Sequence, residues 1–289
     1  ESIHTVGSMF GVLCEPAETN LRSECCVLFL NAGAVGHSGP NRMWTDAARR
    51  NAARGVVSFR FDLPGIGESD GDRNLDIPSL YQEALVEQVE LAMDSLRSRL
   101  GVRRFIAIGL CSGAFWAFCA AIRNRDVCSA VLLNPRLFFW DPEVDRRRLV
   151  RRNAARLANG SQWRRILRGE MSLENVKAIL GTLFDRSGSN WKGAFRTSQI
   201  PGRRMADAWK AIERNGSRVT LIFTDGEPLL CEMEQEGQMP PENPRVRLVR
   251  MGSAGHTFRP QWSQKLAHDL IDREIECAAS MPEVRAVLT

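Results

Sequence analysis

Short apolar runs alternate along this chain with longer segments in which apolar residues recur every three or four positions. Gly7 to Cys14 and Cys25 to Leu30 read as early strands. Met43 to Arg54 reads as a helix closed by Gly55, and Val56 to Phe61 as a strand running into the loop Asp62 to Gly71. From Pro78 to Leu100 the residues Leu80, Ala84, Val86, Val89, Leu91, Met93 and Leu96 keep near-helical spacing until Gly101. Phe105 to Ile108 is the next strand, Ala114 to Ala121 an apolar helix, and Cys128 to Leu133 another strand. After Asn134-Pro135 the alternation stops. Residues 136 to about 204 show no strand signal, only helix-like stretches such as Leu149–Leu157 and Leu173–Phe184. It resumes with a helix over Ala206–Arg214, strands at Val219–Phe223 and Val246–Val249, and a closing helix from Gln261 to Met281. Strands alternating with helices predict the α/β class, with a mostly parallel central sheet covered by helices on both faces. The core is expected at 1–135 and 205–289, with a helical cap insertion at 136–204 above the carboxyl ends of the strands.

One turn in this pattern carries chemistry. Gly109-Leu110-Cys111-Ser112-Gly113 lies between the Phe105–Ile108 strand and the following helix. A G-x-nucleophile-x-G turn holds its central side chain in a strained backbone, and its glycines allow the chain to fold back on itself. Centred on Ser112 the flanks would be Leu110 and Ala114. Centred on Cys111 they are Gly109 and Gly113, so the spacing points to a cysteine nucleophile.

Charge and cysteine usage narrow the setting. The net charge is +5, and residues 141–215 hold 17 Lys/Arg against 8 Asp/Glu, while the remainder carries 22 against 26. A basic segment on a slightly acidic body suits an anionic partner. No nucleic-acid motif with interleaved aromatics is present, and no nucleic-acid partner is expected. No apolar run approaches the roughly 18–20 residues of a membrane span, so none is expected. The eight cysteines form no C-x-x-C pair and have no histidine at zinc-binding spacing. Reduced thiols, with no basic-then-apolar leader at the start, give the cytoplasm as the expected compartment. No metal and no cofactor are expected.

A nucleophilic cysteine needs a base and an acid that orients it. His256, in Gly252-Ser253-Ala254-Gly255-His256-Thr257-Phe258, follows the last strand and is the base candidate. His37, in a glycine-rich loop, is the rival, whereas His4 and His268 lie near the ends of the chain. The acid is expected after Val219–Phe223, in Thr224-Asp225-Gly226-Glu227-Pro228. Glu227 is favoured and Asp225 is the alternative. An imidazolium and a helix N-terminus both favour ionised sulfur, and the elbow position offers the two together.

Four features together, Asn31-Ala32-Gly33, the D-x-x-G-x-G-x-S loop at Asp62–Ser69, the elbow at Cys111 and Gly255-His256, resemble the α/β-hydrolase superfamily over nearly the whole chain. The order nucleophile, acid, histidine agrees with it. The resemblance implies an α/β-hydrolase fold. It implies an oxyanion hole from the Ser112 amide and, where H-G-x usually sits, the Ala34 amide. Some thioesterases of the superfamily carry their acid directly after the strand at position 134, where this chain has Asn134. The run Asn31 to Arg42 is similar to hydrolases of bacterial polysaccharide and secondary-metabolite pathways.

Cysteine in place of serine resembles dienelactone hydrolases, bile-acid-type amino acid N-acyltransferases, Dieckmann cyclases and aminoacyl shuttles. These members place an acyl group on sulfur, and the acyl-thioester is attacked well by amines and thiols. The resemblance implies an acyl-transfer enzyme acting on a small-molecule acyl substrate presented by coenzyme A or an acidic carrier protein. Cys111 would carry the acyl group, His256 shuttle the proton and Glu227 orient it. Arg42, Trp140 and Trp163 are candidate substrate contacts. An ester, thioester or lactone hydrolase and a non-catalytic ligand-binding protein are the alternatives. The acyl group, the acceptor and the oligomeric state are not written in the sequence.

Overall fold

The computed structural model describes residues 1–18, 23–140 and 202–280. By its contacts the chain divides into two compact units, Glu1–Phe139 with Ile200–Thr289, and Trp140–Gln199. Only Trp140 of the second unit is described, so the stretches expected to be helical at Leu149–Leu157 and Leu173–Phe184 lie outside the described residues. So does most of the expected cap.

The first unit is built on an eight-stranded sheet. Its strands are β1 (Ser2–Ile3), β2 (Gly11–Cys14), β3 (Cys25–Phe29), β4 (Val57–Phe61), β5 (Arg104–Leu110), β6 (Val127–Leu133), β7 (Arg218–Thr224) and β8 (Val246–Met251). The order across the sheet is β1-β2-β4-β3-β5-β6-β7-β8. β1 with β2 and β2 with β4 are antiparallel, and every other pair is parallel. The central strands read as unbroken apolar runs because both their faces are covered. β8, at one edge, is mostly half-buried and turns Arg247 outward, toward Glu274 at 2.9 Å. Charge on an edge strand discourages pairing with another chain.

The described helices are α1 (Met43–Ala53), α2 (Glu83–Leu100), α3 (Ser112–Arg123), α4 (Gly202–Asn215), α5 (Pro228–Gln235) and α6 (Gln261–Ala279). α1 and α6 pack together on one face over Val27, Phe29, Ile106, Ile108, Val131 and Ile222. Trp44 of α1 is fully buried there, stacked on Phe29 at 5.3 Å, and its indole N–H donates to the Leu30 carbonyl at 2.9 Å. α2, α3 and α4 pack side by side, with Phe118 of α3 against Phe138 and Trp209. Along each strand alternate residues feed the two layers.

Three details differ from the sequence reading. The strand expected from Gly7 is confined to Gly11–Cys14, because Val6 and Met9 instead bridge around a turn at Gly7. The helix expected from Pro78 starts at Glu83, after a short 3-10 turn and an extended Gln82. α5 was not anticipated.

Candidate active site

Parallel strands deliver their carboxyl ends to one rim. There the loops after β3, β5, β6, β7 and β8 meet. β5 ends at Leu110 and α3 starts at Ser112, so Cys111 alone makes the bend, with φ 60° and ψ −112°. A β-carbon on Gly109 would lie 2.1 Å from the Gly113 carbonyl group, and one on Gly113 would lie 2.3 Å from the Asn31 carbonyl oxygen. Both are backbone obstacles that cannot give way. The glycine spacing in the sequence is therefore the footprint of two close backbone approaches, and it fixes Cys111 as the bend residue. Its sulfur is half-buried, whereas Ser112 is buried.

The loop after β8 brings His256 to this bend. On one side the imidazole of His256 faces Cys111, whose side chain raises its proton affinity more than any other group does. On the other, its Nδ1 donates to Oε1 of Glu227 at 2.9 Å. Glu227 is only 6% exposed and stands at the N-cap of α5, with Pro228 opening the helix. The imidazole holds its proton up to about 9, raised from 6.5 first by Cys111 and then by Glu227, against the opposing effect of burial. Asp225 lies on the exposed side of its turn, where it accepts from the Ser253 hydroxyl at 3.4 Å. The structure thus brings Cys111, His256 and Glu227 together and leaves Asp225 apart. His37 is engaged elsewhere: its Nδ1 accepts from Arg60 at 2.6 Å and its Nε2 lies 3.8 Å from Glu68.

The segment after β3 closes the other side. Gly33 has φ 59°, and Val35 N–H donates to the Ala32 carbonyl at 3.1 Å, making a tight turn. Gly33 N–H donates to the Ser112 hydroxyl at 2.8 Å, which ties this turn to the elbow. Ala34, in the same turn, is exposed. The Ser112 amide is the first of α3 and so has no carbonyl partner within the helix.

Beneath the turn, Asn31 donates to the Val35 carbonyl at 3.0 Å and to Asp62 Oδ1 at 2.8 Å, and accepts from Leu63 N–H at 2.9 Å. Asp62 also accepts from Glu68 N–H at 2.9 Å, while Ser69 donates to the Asp62 carbonyl at 2.6 Å. The D-x-x-G-x-G-x-S loop is thus a brace for the turn that carries Ala34.

Two asparagines hold the histidine loop. Asn134 follows β6 in a left-handed conformation, φ 41°, and its Nδ2 donates to the His256 carbonyl at 2.9 Å. Asn41, φ 53°, donates to the Thr257 carbonyl at 2.8 Å. Arg42 follows in the same conformation at the N-cap of α1, with an exposed side chain that makes no hydrogen bond or ion pair to another described residue. Trp140 is half-buried at the end of the described segment, and Trp163 lies outside the described residues. The sequence reading missed the roles of Asn31, Asp62, Thr224, the Ser112 hydroxyl and Asn134. The signal available for the last was a polar residue ending an apolar strand directly before Pro135. Among the described residues no group of three or more His, Cys, Asp or Glu could hold a metal ion, and no helix is long and apolar enough to cross a membrane.

Comparison with known proteins adds a family. A model described as the alpha/beta hydrolase family matches residues 27–268. No curated protein matches the chain. Among solved structures, an a/b serine hydrolase without lid from Xanthomonas campestris superposes with a TM-score of 0.56 at 12% identity, covering 97% of this chain and 96% of its own. Mouse alpha/beta hydrolase domain-containing protein 10 gives 0.54 at 14% identity, with 96% and 98% covered. A Pyrococcus furiosus esterase gives 0.55 at 14% identity, with 94% and 86% covered.

Proposed function

The chain belongs to the alpha/beta hydrolase family, and on that premise we propose that it is an acyl-transfer enzyme working through Cys111. The observation that carries this reading is the imidazole of His256, set between Cys111 and the buried Glu227, to which its Nδ1 donates at 2.9 Å. A buried carboxylate at the far nitrogen of an imidazole fixes its ring and stabilises the imidazolium. A structural histidine has no need of a sulfur on its other side.

In the reaction, the Cys111 thiol gives its proton to His256 and its sulfur attacks the carbonyl carbon of an ester or thioester. A carbon–sulfur bond forms, and the carbonyl oxygen takes the negative charge. The Ser112 and Ala34 amides receive that charge as backbone donors, which cost no reorganisation. The tetrahedral species collapses, its leaving group departs with the proton from His256, and Cys111 carries the acyl group as a thioester. An acceptor then gives its proton to His256, attacks the thioester and releases the sulfur. Glu227 balances the imidazolium each time it forms. Amines and thiols attack thioesters readily, so the cysteine supports transfer. The donor class is an acyl thioester, carried on coenzyme A or a carrier protein.

A second reading, hydrolysis with water as acceptor, is favoured by the family and by similar structures described as a serine hydrolase and an esterase. Incubation with an acyl N-acetylcysteamine thioester, followed by intact-mass and peptide mapping, tests both. One acyl group on Cys111 is expected in the wild type and none in Cys111→Ala. Unmodified Cys111 with undiminished turnover by Cys111→Ala would refute both readings, and product analysis with added amine or thiol separates them.

A further inference from the structure

We propose that Asn134, acting with Thr224, is a positioning device that fixes the imidazole of His256 and the carboxylate of Glu227 relative to each other. The inference rests on the catalytic reading above and deepens it. Asn134 touches neither reacting group. Its carboxamide instead reaches the backbone that bears one and the hydroxyl that steers the other.

The orientation of that carboxamide is unambiguous. Its Oδ1 accepts from the Thr224 backbone N–H at 2.8 Å, a group that can only donate. The two hydrogens on Nδ2 then go to the His256 carbonyl at 2.9 Å and the Thr224 Oγ1 at 3.2 Å. With its oxygen already accepting, the Thr224 hydroxyl has two acceptors in reach, Oε1 of Glu227 at 3.3 Å and Asn134 Oδ1 at 3.4 Å, and the ring forms when it donates to the nearer, Glu227 Oε1. That same oxygen accepts from Nδ1 of His256. The path from Asn134 through Thr224, Glu227 and His256 therefore returns to Asn134 as a closed ring. Asn134 is fully buried and Thr224 1% exposed, so water does not compete for these bonds.

The backbone supports the same reading. Asn134 sits at φ 41°, a conformation that asparagine tolerates and most residues do not. It aims one side chain at β7 and at the histidine loop together. Holding the carbonyl of His256 fixes the peptide from which the imidazole springs. An aspartate here would keep the acceptor for Thr224 but bring no hydrogen for the His256 carbonyl, and would set a second anion beside Glu227. The Asn41 bond to the next carbonyl is exposed and lacks any link to the acid.

The test compares wild type with Asn134→Asp, Asn134→Gly and Thr224→Val. Burst and steady-state release of p-nitrophenol from p-nitrophenyl acetate are followed, with circular dichroism for folding. Both Asn134 variants accommodate the left-handed backbone, and Asp alone retains the acceptor. A loss of about 10²-fold in kcat is expected in both, the scale of a small misplacement of reacting groups. KM should stay within about twofold, because no substrate contact is removed. The pH profile of kcat should shift with it, which a purely structural residue would not cause. Folded Asn134 variants with kcat within about threefold of wild type would overturn the proposal. If neither folds, Thr224→Val carries the test: a drop of at least about tenfold in kcat supports it, and full kcat overturns it. A wild type that forms no adduct at Cys111 would instead bring down the underlying catalytic reading.

Discussion

Replacing Cys111 with alanine should lower the proton affinity of His256, because the sulfur is the largest of the two influences that raise it. In the wild type the imidazole holds its proton to about 9, from an ordinary value of 6.5. That difference corresponds to at most about 3.4 kcal/mol of extra interaction with the charged ring. The side chain is 36% exposed, so solvent screening leaves about 1–2 kcal/mol of it as folding stability. The sign follows from linkage: the contribution is complete below pH 6.5, where the unfolded ring is also protonated, and is lost as pH rises through about 9. Two measurements check this. Titration of the His256 ring proton by NMR should give a midpoint near 9 in the wild type. In Cys111→Ala it should fall by at least about one unit yet stay above 6.5, held by Glu227. Urea unfolding at pH 6.5 and 9.5 should show a loss of stability in the wild type that His256→Ala lacks. A wild-type midpoint near 6.5, unmoved by removing the sulfur, would refute the contact on which the chemistry is built.

Glu227→Gln should lower kcat by up to about 10⁴-fold, the cost of losing the carboxylate behind a catalytic imidazole. Asp225→Asn should stay within about threefold in the same ester assay, since among the described residues its carboxylate reaches only Ser253. Gly113→Ala should destabilise by about 3 kcal/mol or prevent folding, because its new carbon meets the Asn31 carbonyl; urea unfolding measures it. Asn31→Ala should cost about 2–4 kcal/mol in the same experiment by stranding Asp62 and Leu63 N–H in the interior.

Much of this architecture is visible in the sequence for one reason. Strands buried on both faces must be apolar throughout, so β3, β5, β6 and β7 stand out as unbroken runs. The elbow is equally legible, because two close backbone approaches leave glycines at fixed spacing around Cys111. The histidine is legible from its place after the last strand. Spacing favours Glu227 over Asp225 but does not exclude the latter. They differ in burial, and that difference arises only when α5 begins at Pro228 and turns Glu227 inward. α5 itself is two turns long and carries Glu232 and Glu234, too short and too polar to register as a periodic segment. Asn31, Asn134 and Thr224 are hidden for a related reason. Their work is done through hydrogen bonds between segments some 30 to 120 residues apart, and no local pattern encodes such partners.

β8 bonds to a neighbour along one edge only. Strands of that kind open before the rest of a domain does. His256 rides on the loop beyond it, whereas Cys111 stands at the end of β5, deep in the sheet. Catalytic competence is thus tied to one edge of the sheet, and should fade in mild denaturant before circular dichroism registers any loss of the fold.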